Sequence, residues 1–344
     1  MSLRSREPDW WYGTAPHWQA TLLSPIGALV GEIAKARLRR AKPYRALVPV
    51  ICVGNFTAGG SGKTPLAILI ARFVSGLGRE PWFLSRGYGG THEGPLRVQP
   101  AMHTAGEVGD EPLLLARHAP TVISRDRRKG AEAIEASAPR DAVIIMDDGL
   151  QNPALAKSIS IAVVDGDRGF GNGYVIPAGP LRAPLAAQIS LADLIVTTGR
   201  ADSGDTLAIM ALRGMTDAPF IKAETRATAA AAEMKGRRVV AYAGIANPQR
   251  FFSMLNNLGA DIVERHTFAD HHAFSNAEAE SLLDAASRNE ASLVTTEKDL
   301  VRLMGASGRR AELAKRSAAL AIETVIEDAD LKILTTMIAR AIAR

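Results

Sequence analysis

The chain has 344 residues, 47% of them hydrophobic and 22% charged, with a formal net charge of +5 and one cysteine. That length suits two domains of ordinary size, and the apolar fraction suits a packed core. The lone Cys52 excludes a disulfide framework and points to a reducing compartment, and the charged, Trp-rich N-terminus lacks the leading apolar stretch of a secretory signal.

Residues 1–45 form a first region. Trp10, Trp11, Tyr12 and Trp18 precede a moderately apolar stretch at 22–33, and Lys35, Arg37, Arg39, Arg40, Lys42 and Arg45 follow it. Pro25 and Glu32 interrupt the apolar part, which is too short to cross a bilayer as a helix. Aromatics, an amphipathic helix and a basic end suit an anionic membrane surface; a helix packed on the protein with its basic face in water is the other reading. Neither a nucleic-acid nor a protein partner is expected.

From 46 to 218 short apolar runs alternate with helical patterns, the signature of a parallel α/β sheet with helices on both faces. Candidate strands fall at 46–54, 81–85, 121–124, 142–146, 159–164 and 193–197, apolar throughout because both faces are buried. The first strand runs into Thr57-Ala58-Gly59-Gly60-Ser61-Gly62-Lys63-Thr64, and a helix follows from Pro65. Strand, glycine-rich loop and helix make a phosphate-binding loop. Backbone N–H groups and the helix N-terminus cradle phosphate, Lys63 reaches the β- and γ-phosphates, and the Thr64 hydroxyl binds Mg²⁺. Pro65 is tolerated in the first helical turn. Thr57 stands where the general pattern has glycine.

Further rim residues follow in order. Ser85-Arg86-Gly87-Tyr88-Gly89-Gly90 follows the second strand directly. Gly109-Asp110-Glu111-Pro112 reads either as an ordinary helix start or as a catalytic carboxylate. The basic cluster 125–129 either meets an anionic substrate or caps a helix. Asp147-Asp148 ends the strand 142–146, where a P-loop enzyme holds Mg²⁺. A long Gly/Pro-rich loop from Asp167 to Pro184 carries Arg182, read as a flexible arginine near the transferring phosphate or as an exposed loop residue.

Residues 219–236 read as a linker holding an isolated extended segment at 220–225. Residues 237–344 then read as a smaller α/β domain with C-terminal helices, with strands at 239–245 and 292–296 and a helix from Asn247-Pro248. Asp270-His271-His272 lacks the further Cys/His spacing of a zinc site, and a His–carboxylate pair for proton transfer is the better functional reading.

Taken in order over nearly the whole chain, these motifs resemble the tetraacyldisaccharide 4'-kinase (lipid A 4'-kinase) family of Gram-negative bacteria. The resemblance rests on 53–65, Ser85-Arg86-Gly87-Tyr88-Gly89, Gly109-Asp110-Glu111-Pro112 and Asp147-Asp148-Gly149-Leu150-Gln151. It continues through Pro177-Ala178-Gly179-Pro180-Leu181-Arg182, Phe268-Ala269-Asp270-His271 and Thr296-Glu297-Lys298-Asp299. Thr57 is usual in that family; the acidic residue that often follows its loop arginine is here Ala183. The resemblance implies transfer of the ATP γ-phosphate to the 4'-hydroxyl of an acylated glucosamine disaccharide 1-phosphate, giving lipid IVA. It makes Asp110 the base, His271 its partner, Asp147 and Asp148 the Mg²⁺ carboxylates, and Arg182 and Lys63 the phosphate contacts. His272 falls outside the match. It also implies a peripheral protein at the cytoplasmic face of the inner membrane.

Rival readings fit less well. A membrane-associated P-loop switch ATPase carries lysine where this chain has Ala58, and Thr296-Glu297-Lys298-Asp299 lacks the spacing that reads guanine. A kinase of a soluble small molecule leaves the N-terminal helix unexplained.

Overall fold

Runs rich in Val and Ile become the inner strands of the computed structural model, which describes residues 7–13, 17–60, 62–199 and 205–343. The described strands are β1 (Val50–Asn55), β2 (Glu80–Ser85), β3 (Leu96–Arg97), β4 (Thr121–Ile123), β5 (Ala142–Asp147), β6 (Ile159–Asp165) and β7 (Leu194–Thr198). They continue as β8 (Phe220–Ala227), β9 (Arg238–Ala243), β10 (Asp261–Thr267), β11 (Ser292–Thr296), β12 (Ser317–Leu320) and β13 (Ile322–Val325). The helices are α1 (Trp18–Arg40), α2 (Lys63–Gly76), α3 (Ala105–Val108), α4 (Asp110–Leu115), α5 (Arg127–Ser137) and α6 (Leu185–Ile189). After them come α7 (Leu207–Arg213), α8 (Pro248–Asn257), α9 (Asn276–Arg288), α10 (Glu297–Leu303), α11 (Arg309–Arg316) and α12 (Asp328–Ile342).

A nine-stranded sheet runs β13-β8-β7-β6-β1-β5-β2-β4-β3, parallel except for the edge strands β13 and β3. Every residue of β1 is buried, as two-faced burial requires. Ile51 and Val53 meet Leu66 and Ile70 of α2 and Leu334 and Ile338 of α12 on one face. Val50 and Cys52 meet Ile134 of α5 on the other. Burial pushes the Cys52 thiol up to about 11, so it is an inert core group. The strand expected from residue 46 begins at Val50, just after Pro49, which has no N–H for a ladder.

The second sheet, β10-β9-β11-β12, is wholly parallel, with α8 on one face and α9 on the other. Two boundaries differ from the sequence reading. Residues 220–227 are not an isolated linker segment: β8 pairs in parallel with β7 and buries Ile221 and Ala223 in the main core. Nor does the chain after 237 stay in the second unit, because β13 and α12 return to the large sheet. The crossings lie side by side, with Thr228 N donating to Ala321 O at 3.0 Å.

Helix α1 buries Ala20, Gly27 and Gly31, and the two glycines lie flush on the glycine-rich loop at Val175, Ala178 and Pro184. A Cβ at Gly27 would stand 2.5 Å from the Val175 carbonyl, so only glycine permits this approach. Trp18, Leu22, Ile26, Leu29 and Ile33 form the outward stripe, each between 52% and 67% exposed. The helix is amphipathic in an inverted sense: small residues pack inward and large apolar ones face out. No described helix is long and apolar enough to cross a membrane.

Candidate functional site at the seam of the two sheets

In a parallel sheet the strands deliver their following loops to one rim. The loop after β1 turns through Gly59 (φ 94) and Gly62 (φ 86), left-handed positions that favour glycine, and Gly62 caps α2. Thr57 needs no such freedom, because it pairs in an extended bridge with Leu181. The long glycine-rich loop is stitched to the phosphate loop rather than flexible. Ala58 N donates to Pro180 O (2.7 Å), Arg182 N to Phe56 O (3.0 Å) and Arg182 Nε to Thr57 O (2.9 Å). Ser61 lies outside the described residues. Lys63 Nζ donates to Gly59 O at 3.4 Å and stands 3.6 Å from Asp148 Oδ1.

Strand β5 ends in Asp147, buried, and Asp148, on left-handed backbone with φ 53. Arg182 Nη1 donates to Asp148 Oδ2 at 2.9 Å. Burial raises the Asp148 carboxyl, but Lys63 and Arg182 outweigh it and bring the value to about 2. Asp147 goes the other way, to about 7, through burial and the charges of Glu111 and Asp148. Behind it Arg127, buried, donates Nη1 to Ser124 O at 2.6 Å; of the cluster 125–129 it is the one turned inward. Asp126 caps α5, which is the other expected role of that cluster.

Among the described residues, Asp147 Oδ1 and Asp148 Oδ1 are buried and accept no hydrogen bond. Two such carboxylate oxygens at the end of one strand fit a hard divalent cation.

Asp110 opens α4 and is 4% exposed. Its carboxylate accepts from Glu111 N at 2.9 Å and from His271 Nδ1, which lies 3.1 Å from Oδ1 and 3.0 Å from Oδ2. Arg302 Nε donates to Oδ2 at 2.8 Å, and Nη2 donates to the same oxygen. Burial raises the Asp110 carboxyl, yet the His271 hydrogen bond and the Arg302 and Lys298 charges hold it far below the usual carboxylate range. Burial lowers the His271 imidazole, and Asp110 more than reverses that. Lys298 Nζ donates to Glu111 Oε1 at 2.6 Å; the Lys63 charge lowers the Glu111 carboxyl, and the Glu111 charge raises that of Asp147.

The described contacts bring the expected residues together in two groups, Thr57, Lys63, Asp148 and Arg182 in one and Asp110 with His271 in the other. His272 does not join them; it bonds Glu278 at 3.0 Å and stacks on Phe268, fixing the start of α9. Sequence reasoning gave no role to Arg302, Lys298, Glu111 or Asp299. Their signal was helical spacing: Thr296 caps α10, and Asp299 and Arg302 stand three apart on one face. Glu7 also went unnoticed. Its carboxylate fills the space a Cβ on Gly59 would need and pairs with Arg168 at 3.4 Å.

The family model described as tetraacyldisaccharide-1-P 4'-kinase matches residues 19–340. The chain is 45% identical over 325 residues to the tetraacyldisaccharide 4'-kinase of Rhodopseudomonas palustris (strain HaA2), covering 94% of this chain and 93% of that one. It is 50% identical over 303 residues to that of Methylobacterium sp. (strain 4-46), covering 88% and 90%. Among solved structures it is similar to LpxK from Aquifex aeolicus in complex with ATP, at 27% identity and a TM-score of 0.75, covering 94% of this chain and 99% of that one.

Proposed function

The chain belongs to the tetraacyldisaccharide 4'-kinase family, and from that premise we propose how its residues divide the work. The reaction moves the γ-phosphate of ATP to the 4'-hydroxyl of tetraacyldisaccharide 1-phosphate, a step of lipid A biosynthesis. The phosphate loop and Lys63 hold the β- and γ-phosphates. Thr64, Asp147 and Asp148 hold Mg²⁺, which when bound neutralises charge on the phosphate oxygens. Arg182 reaches the transferring group from the loop stitched to Thr57.

Asp110 receives the proton of the 4'-hydroxyl as its oxygen bonds to the γ-phosphorus and the bond from that phosphorus to the β,γ-bridging oxygen breaks, releasing ADP. His271 Nδ1 holds that carboxylate in place. Phosphoryl transfer depends mostly on positioning and charge, so Lys63 and Arg182 carry more of the rate than the base. The observation that carries this reading is the buried Asp110 carboxylate paired with His271 Nδ1.

The outward stripe of α1, with Arg37, Arg39 and Arg40 in its last turn, supports peripheral docking on the anionic cytoplasmic face of the inner membrane, where acyl chains are available. The test is purified protein with Mg-ATP and detergent-dispersed disaccharide 1-phosphate, read by mass spectrometry. A bisphosphorylated lipid is expected. ATP hydrolysis that ignores the lipid favours a switch ATPase instead.

A further inference from the structure

The side chain of Arg302 is 5% exposed. Nε and Nη2 both donate to Asp110 Oδ2. Nη1 donates to Asp299 Oδ1 and to the Gly244 carbonyl, each at 2.6 Å. Asp299 is itself held by Thr296 Oγ1 and by the Gly244 N–H. The fork is thus fixed from behind by α10 and the end of β9, and presented to a carboxylate that belongs to the other sheet. A buried arginine in such a frame fixes the plane of its carboxylate as well as its charge.

We propose that Arg302 is a positioning residue for phosphoryl transfer: from across the seam it pins Oδ2 of Asp110, while Glu111 N holds Oδ1 and His271 Nδ1 lies against both oxygens, and so it fixes the plane of the carboxylate that meets the acceptor hydroxyl. This rests on the reading of Asp110 as the base. Two effects follow. Loss of the fork lets the carboxylate rotate and lowers turnover, since small displacements of a reacting group are costly. Loss of the charge removes a force that keeps Asp110 ionised, so its protonation moves to higher pH.

Two substitutions separate fork from charge. Arg302→Lys keeps a cation and loses the planar fork; Arg302→Gln loses both. In kcat and kcat/KM measured against pH, Arg302→Lys is expected to lower kcat about tenfold to 100-fold with the acid limb unmoved. Arg302→Gln is expected to lower kcat as much and to shift the acid limb upward by about one pH unit or more. KM for ATP stays within about twofold in both, because Arg302 does not touch the phosphate loop. Arg302→Gln strands two buried carboxylates, so it is also made with Asp110→Asn, which removes one of them. In that background it should cost little further activity, since the two residues act as one unit.

Wild-type kcat and acid limb in both Arg302 variants would overturn the proposal. So would an equal loss with and without Asp110→Asn, which marks a merely structural role. If Asp110→Asn alone keeps wild-type turnover, the base reading falls and this inference with it; if it is inactive while the Arg302 variants are normal, only this inference falls.

Discussion

Asp148 and His271 both sit on left-handed backbone, with φ of 53 and 56. Asp and His tolerate that region better than most residues, but it costs energy that neighbouring contacts must outweigh. At Asp148 these are the charges of Lys63 and Arg182, and at His271 the carboxylate of Asp110. Arg182→Ala should cut kcat on the order of 10³-fold, the low end for an arginine that neutralises the transferring group. An unchanged kcat in steady-state assays would remove it from that role. The His271 contribution to stability has a definite sign. Its folded pKa lies above the ordinary 6.5, so the stabilisation is fully present below that value and fades as pH rises through the raised one. Asp110, held low, keeps its contribution until the solution is strongly acidic. Urea melts of the wild type and His271→Gln should therefore show a stability gap that narrows as pH rises above the ordinary histidine value; a gap that widens would contradict the pairing. These residues were legible because phosphate chemistry demands fixed residue types at the ends of strands. Arg302 was not, since its partner Asp110 lies 192 positions away and no local pattern connects them.

Helix α1 shows what periodicity does and does not reveal. The apolar residues at 22–33 mark a helix, but not which face packs inward. Burial goes to Gly27 and Gly31 because the loop they meet approaches within backbone contact, which leaves the large side chains outside. Leu22→Asp with Leu29→Asp should weaken cosedimentation with anionic vesicles at least about tenfold, from the lost transfer energy of two leucines. Nucleotide affinity should not change; equal vesicle binding would refute the docking face. Gly27→Val forces a side chain into the Val175 carbonyl, and about 1–3 kcal/mol of destabilisation is expected in thermal or urea melts. The glycine-rich loop is the converse case. Its composition suggested mobility, yet its hydrogen bonds to Phe56, Thr57 and Ala58 make it part of the phosphate site. Composition reports a chain's freedom; it does not report the partners that remove it.

The described chain forms two sheets, the larger parallel but for its edge strands and the smaller wholly parallel, and it leaves the large sheet at Ala227 and re-enters it after Ala321. The parallel character of the large sheet was readable from uniformly apolar strands, whereas the second unit read only as α/β and its strand β10 is largely polar. The re-entry was not, because β13 and α12 follow the second unit in sequence but bury Ile326, Leu334, Ile338 and Ile342 in the first. Removing residues 328–344 should therefore destabilise the nucleotide-binding sheet, at roughly 2–5 kcal/mol for each large core side chain lost. Limited proteolysis that leaves the truncated large sheet as resistant as in the full chain would contradict this. The two-sheet arrangement is also what assembles the proton-transfer pair, Asp110 from α4 with His271 from beyond β10.

That assembly is tested most directly by one pair of values on a single preparation of Asp110→Asn: turnover of the lipid acceptor and affinity for Mg-ATP. The account predicts a kcat lower by about 10²- to 10⁴-fold, the usual worth of a positioned general base, with nucleotide affinity close to wild type. Wild-type turnover, or loss of nucleotide binding in its place, would contradict it.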